Sequence, residues 1–198
     1  LIGLKTFCDI DDYITINISS PNTKNLRDFH DETKFNKLMS SIEKEKINLK
    51  STIPIVVKIS PDILDDQINM ISEILIKYKV SAIIVSNTTE GNRENLKNIS
   101  KYQKGGLSGK PLEKKSSDLI AKFYNLLKGK VEIIGVGGVD SGKSAYEKFL
   151  SGASYIQLYT GMVFQGPKIV KKIKKELKEL LINDGVTNFR EIIGKKHN

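Results

Sequence analysis

The segment Asn17-Ile18-Ser19-Ser20-Pro21-Asn22-Thr23 crowds amides, hydroxyls and a proline turn behind Tyr13-Ile14-Thr15-Ile16, a β-branched run that reads as a buried strand. Pro21 fixes φ and has no N–H to donate, so the strand must end there. Asn17, Ser20, Asn22 and Thr23 therefore fall at or beyond its carboxyl end, where parallel α/β sheets carry their chemistry. Other apolar runs finish in the same manner, at Lys58-Ile59-Ser60-Pro61, Asn87-Thr88-Thr89, Gly135-Val136-Gly137-Gly138 and Tyr159-Thr160-Gly161.

Each ending suggests a task and has a plainer alternative. Lys58 closes the apolar run Ile55-Val56-Val57, where an ammonium is costly unless a negative partner meets it. A reduced flavin or an oxyanion would serve; a lysine at a frayed strand end is the plainer case. Asn87-Thr88 offers amide and hydroxyl groups to a planar amide ligand, or simply a capping turn. The two glycine-bearing endings let backbone approach an anion closely and precede helix N-termini, as in phosphate sites; tight strand-to-helix turns are the alternative. Gly105-Gly106-Leu107-Ser108-Gly109-Lys110-Pro111 is a glycine-rich rim loop with room to fold over a ligand. Gly137 to Ser144 also fits the Walker A pattern after a strand, which keeps a P-loop NTPase as a rival. That reading lacks a strand ending in Asp to help hold Mg²⁺. His30 and His197 have no ligand-spaced neighbour and read as surface residues, no metal site is expected, and Ser20 has no histidine partner that would make it a hydrolase nucleophile.

The elements that must position these groups follow from periodicity. Strand-type runs cover 13–19, 53–59, 81–86, 131–136 and 155–159. Helical stripes separate or follow them, at Phe35–Ile47, Leu119–Leu127, Ala145–Leu150 and Ile169–Leu181. The clearest helix follows Ser60-Pro61-Asp62, read as N-cap, first-turn proline and acidic first turn, with Ile63, Leu64, Ile68, Ile71, Ile74, Leu75 and Tyr78 on one stripe. Leu1, Ile2, Leu4 and Phe7 read as the tail of a further helix. Alternating strands and helices predict a parallel sheet with right-handed crossovers. The polar strand ends converging on one face predict a (β/α)₈ TIM barrel, of which the last five βα units are present in a single domain over residues 1–198; an open doubly wound sheet is the alternative.

With 39% hydrophobic and 28% charged residues over 198 positions, the chain can build one sizeable core. No apolar run reaches the roughly 20 residues of a membrane-spanning helix. The formal charge is +9, but all of the 32 basic residues except Arg27, Arg93 and Arg190 are lysines spread along the chain. Base and phosphate readout favours arginine, so no nucleic-acid partner is expected. The lysine-rich helix over Lys168–Lys178 reads as the solvated face of an outer helix. Cys8 stands alone and supports no disulfide framework.

Taken in order, the segments Asn-Ile-Ser-Ser-Pro-Asn-Thr, Val-Val-Lys-Ile-Ser-Pro, Ser-Asn-Thr-Thr, Gly-Gly-Leu-Ser-Gly-Lys-Pro-Leu, Ile-Ile-Gly-Val-Gly-Gly-Val and Gly-Ala-Ser-Tyr-Ile-Gln-Leu-Tyr-Thr make the chain resemble the class 2, quinone-dependent dihydroorotate dehydrogenases. The resemblance runs from residue 13 to 160, and Ile192-Ile193-Gly194 is similar to the family's ending. It implies an FMN enzyme that oxidises dihydroorotate to orotate in pyrimidine (UMP) biosynthesis and passes electrons to ubiquinone or another quinone. Residue by residue it implies Ser20 as catalytic base and class marker, with Lys58 stabilising the charge of the reduced flavin. Because a serine hydroxyl is a poor base unless a group takes its proton, Thr23 is expected to complete the catalytic group as a relay through ordered water. The resemblance implies Asn17, Asn22, Asn87 and Thr88 as the pyrimidine contacts. The implied FMN contacts are Asn17, Lys58, Ser86, Gly109, Gly138, Tyr159 and Thr160. Lys24-Asn25 departs from the family's small residue and glycine before Leu26-Arg27. The resemblance further implies a missing N-terminal part with three strands, the quinone tunnel and any membrane attachment. The implied address is the mitochondrial inner membrane in a eukaryote or the inner membrane in a bacterium. An inactive truncated barrel is the remaining alternative.

Overall fold

The computed structural model describes residues 1–198 apart from Asn22, Lys24, Asn25, Asn92, Asn95 and Asn198, with only the backbone of His197. In chain order the elements are α1 (Ile2–Phe7), β1 (Ile14–Asn17), α2 (Glu32–Asn48), β2 (Ile55–Lys58), α3 (Asp65–Lys77), β3 (Ala82–Val85), α4 (Glu113–Leu127), β4 (Glu132–Val136), α5 (Gly142–Leu150), β5 (Tyr155–Gln157), α6 (Thr160–Gln165) and α7 (Ile169–Asn183). The strands form one sheet in the order β1-β2-β3-β4-β5, every neighbouring pair parallel. These are five consecutive βα units of a (β/α)₈ barrel, as the alternation of periods predicts.

Strand alternation divides the sheet into two faces. Ile55, Val57, Ile83, Val85 and Ile133 join Phe35, Ile71, Leu75, Ile120 and Phe123 from the helices in the main core. Val56, Ala82, Ile84 and Ile134 form a separate small cluster on the opposite face. Each fully buried aliphatic side chain contributes about 1.5–3 kcal/mol. The register sets Asn17 opposite Lys58, Lys58 opposite Ile84, Ile84 opposite Ile134 and Ile134 opposite Tyr155. Polar groups at the tips of β1 and β2 are thereby brought level with one another by apolar residues that register the sheet beneath them.

Three local expectations are corrected. The strands are shorter than the apolar runs: β1, β2, β3 and β5 end before their runs do, as the last residues leave the ladder to form turns, whereas β4 keeps its run's end at Val136 and drops only Val131. The helix read from Ser60-Pro61-Asp62 begins only at Asp65, where Gln67 Oε1 accepts the N–H of Leu64 at 2.9 Å. Ser60 Oγ instead accepts the Asp62 N–H at 3.1 Å, and the Asp62 carboxylate is engaged by distant residues described below. His30 is not a surface residue: it is 6% exposed, and its buried Nε2 has no hydrogen-bond partner among the described residues. Burial, then the nearby Arg27 charge, lowers its pKa from 6.5 to about 4. In α7, Ile169 and Ile173 face inward while its lysines lie toward solvent.

Candidate active site

A cavity of about 650 Å³ opens at the carboxyl ends of β2 to β5. Its size falls in the usual range for small-molecule and cofactor sites. Lys58, Ser86, Asn87, Thr88, Gly109, Gly138, Tyr159 and Thr160 all line it. They come from four separate strand ends and the rim loop. Asn17 joins from the tip of β1: its Oδ1 accepts the Ser19 Oγ–H at 2.6 Å and lies 3.5 Å from Asn87 Nδ2. Asn87 Nδ2 also donates to Ser19 Oγ at 2.9 Å. The Thr88 N–H donates to Asn87 Oδ1 at 2.8 Å, which sets the Asn87 amide from both sides.

Ser20 is half-buried on the loop after β1, beside the cavity but not among its lining residues. Thr23 is exposed on the same loop, and Asn22, with Lys24 and Asn25, lies outside the described residues. The loop meets the rim at Gly106, where a Cβ would overlap Thr88 Oγ1 and come 3.3 Å from Pro21 Cγ. Across the mouth, Thr160 Oγ1 donates to Ser108 Oγ at 2.9 Å. Gly109, at φ +78°, passes so close to Thr160 that a Cβ would stand 2.9 Å from Cγ2. The glycines of the rim loop thus let it cross from β3 to β5 against the cavity.

The electrostatics single out Lys58. It is half-buried, and desolvation lowers its pKa. No hydrogen bond or ion pair reaches its ammonium among the described residues. Lys110 at the rim differs: Glu113 Oε2 lies 2.5 Å from its Nζ, and that bond raises its pKa. A half-buried cation without an acidic partner is suited to an anionic ligand. The glycine turn after β4 supplies a close backbone approach, since Gly137 and Gly138 have φ of +120° and +76°. Donors for an anion, amides for a planar heterocycle and room for both fit a flavin nucleotide. No cluster of three or more His, Cys, Asp or Glu able to hold a metal occurs among the described residues.

Sequence reasoning missed two contributors. Ser19 is wholly buried and forms the hydroxyl link between Asn17 and Asn87. Lys148 is also wholly buried, with Nζ donating to Glu113 O at 2.8 Å and Ser117 Oγ at 2.9 Å, behind the turn that carries Gly138. Burial lowers its pKa to about 8 despite opposing acidic neighbours. Its position three residues after buried Ala145 was the available signal.

The Walker-like string takes a different use. The Gly142 N–H at the start of α5 donates to Glu176 Oε2 of α7 at 2.6 Å. Ser141 caps the same helix, accepting the Ser144 N–H at 3.3 Å, and Ser144 Oγ accepts the Asp140 N–H at 2.9 Å. The helix terminus that would cradle a nucleotide phosphate is filled by a carboxylate and two serines.

A family model described as dihydroorotate dehydrogenase matches residues 2–181. The chain is 46% identical over 168 residues to a dihydroorotate dehydrogenase (quinone) of Wigglesworthia glossinidia brevipalpis, covering 83% of this chain and 50% of the relative. It is 37% identical over 197 residues to the mitochondrial dihydroorotate dehydrogenase (quinone) of Mus musculus, covering 98% of this chain and 50% of the relative. The crystal structure of the Eimeria tenella dihydroorotate dehydrogenase in complex with ferulenol superposes with a TM-score of 0.95 at 31% identity, covering all of this chain and 57% of that one. The chain spans about half the length of the relatives it matches.

Proposed function

Because the chain belongs to the dihydroorotate dehydrogenase family, in its quinone-dependent class, we propose that the protein oxidises dihydroorotate to orotate with FMN held in the cavity above β2–β5 and a quinone as final electron acceptor. The observation that carries this reading is the gathering of eight expected contact residues around one cavity whose only half-buried, unpaired lysine among the described residues is Lys58. FMN, when bound, supplies a two-electron acceptor.

The chain's own residues have separable tasks in this proposal. Lys58 offsets negative charge in the cavity, where few competing dipoles surround its ammonium. Gly138 and Thr160 present backbone at the phosphate end, and Gly109, Ser86 and Tyr159 bound the remaining cofactor surface. Asn17, Asn22, Asn87 and Thr88 hold the pyrimidine through paired amide hydrogen bonds. Ser20 takes the proton from the substrate carbon next to the one that loses hydride. A serine hydroxyl is a weak base unless its own proton has somewhere to go. Thr23 and water relay that proton outward from the loop.

Association with a membrane, mitochondrial inner in a eukaryote or cytoplasmic-face inner in a bacterium, belongs to this proposal as well; no helix among the described residues is long and apolar enough to cross one. The test uses the full-length protein loaded with FMN and mixed anaerobically with dihydroorotate. Bleaching of flavin absorbance is expected in the wild type, and in Ser20→Ala a loss of at least about 100-fold in its rate with FMN still bound, in line with general base catalysis. Wild-type protein that binds FMN but is not bleached would overturn the substrate assignment.

A further inference from the structure

Asp62 accepts hydrogen bonds from three different parts of the molecule, more than a helix-capping residue needs. Its Oδ1 takes the Thr89 Oγ–H at 2.5 Å and lies 2.5 Å from Lys115 Nζ of α4. Its Oδ2 takes the Glu90 N–H at 2.9 Å and faces Arg27 Nη2 at 3.3 Å. Burial pushes the carboxyl pKa up, but the bonds from Lys115, Thr89 and the Glu90 N–H outweigh it and hold it below the usual range. Asp62 stays ionised, on the turn after β2, between the loops that follow β1 and β3.

Arg27 is the group this carboxylate fixes. Its Nη1 donates to Glu90 Oε2 at 2.6 Å, so the guanidinium is held between two acids. The remaining Nε donates to the carbonyl oxygen of Ser19 at 3.4 Å, the long end of hydrogen-bond range. That carbonyl belongs to the peptide joining Ser19 to Ser20. A peptide unit is planar, so holding its oxygen fixes the plane from which the Ser20 side chain departs. On the preceding side, Ser19 is tied to Asn17 and Asn87 through its hydroxyl. On the following side, Pro21 rests by Gly106.

We propose that Arg27 and Asp62 are positioning residues for the reaction, the pair orienting the Ser19–Ser20 peptide so that the Ser20 hydroxyl addresses the cavity. The inference rests on the functional reading above and adds to it two residues that do not touch the cavity. The guanidinium fork matters as much as its charge, because one planar group spans two carboxylates and a carbonyl. A lysine at 27 keeps the charge but cannot meet all three acceptors in one plane.

The test compares wild type, Asp62→Asn, Arg27→Lys and the double variant as full-length FMN-loaded protein, each mixed anaerobically with dihydroorotate. Expected is a loss of tenfold or more in the saturating rate of flavin bleaching per bound flavin in each single variant, with the half-saturating dihydroorotate concentration changed less than threefold. The double variant should be no slower than the slower single one, since both act through one contact. A merely structural role would lower the melting temperature or the bound-flavin fraction and leave the rate per bound flavin intact, and that result in both singles overturns the proposal. Where Asp62→Asn fails to fold, Arg27→Lys alone decides, by the same rate. Absence of bleaching in the wild type would instead overturn the functional reading and this inference with it.

Discussion

Gly138 and Glu113 approach so closely that a Cβ on the glycine would lie 2.7 Å from the Glu113 Cα and 2.9 Å from its N. The first residue of α4 is thereby seated against the turn after β4, and Lys148 holds the Glu113 carbonyl from behind. Backbone, not a flexible side chain, occupies the space, so neither partner can yield cheaply. With φ at +76° as well, Gly138→Ala should cost about 1–3 kcal/mol in stability. FMN affinity should fall with it, by about tenfold or more, as measured by flavin fluorescence titration of the purified protein.

Lys58→Met should separate folding from binding. The substitution removes a desolvated ammonium that has no acidic partner among the described residues, so the apoprotein should melt no lower than wild type. Binding of FMN or orotate should weaken by roughly 10–100-fold, the loss of one charge-assisted contact of about 1.5–3 kcal/mol. In the wild type, affinity for these anions should decline as pH rises through the lowered Lys58 pKa, because the ammonium is lost there; Lys58→Met should flatten that profile. Titrations at several pH values check both.

His30 makes acid stability depend on one buried imidazole. Its folded pKa of about 4 lies below the unfolded 6.5, so the unfolded chain binds more protons between those values. The stability held above about pH 6.5 should drain away as pH falls toward 4, by on the order of 3 kcal/mol at about 1.4 kcal/mol per pKa unit. His30→Gln should remove most of that slope. Urea midpoints measured from pH 7 down to pH 4.5 are the check, and parallel curves for the two proteins would refute it.

The Gly137–Ser144 string should bind no nucleotide triphosphate. With the Gly142 N–H given to Glu176, millimolar Mg-ATP should leave the melting temperature unchanged. FMN at 100 times its Kd should add about 2.7 kcal/mol to stability and raise the melting point visibly. A thermal shift with Mg-ATP and none with FMN would reverse the assignment of the site.

Much of this architecture was written locally. Runs such as Ile55-Val56-Val57, and the stripe from Ile68 to Leu75, carry strand and helix periods that survive in the folded chain as β2 and α3. The polar strand ends also announced themselves, since Lys58, Asn87, Gly138 and Thr160 interrupt apolar runs where core would otherwise continue, and all four line one cavity. The resemblance to a known family then rested on the order of those same endings.

Other features depend on partners far away in sequence, and no local pattern encodes them. Asp62 looked like part of a helix start, yet its carboxylate is taken by Thr89, Lys115 and Arg27, so α3 begins later. The glycines before Ser144 looked like a phosphate cradle until α7 brought Glu176 onto the Gly142 N–H. His30 looked exposed and is buried. Periodicity reports which face of a segment avoids water; it is silent on which charged or polar group will meet which across the fold. That choice is made when the parallel sheet brings the loops together, because only then do desolvation and the available donors decide where each carboxylate and cation can rest.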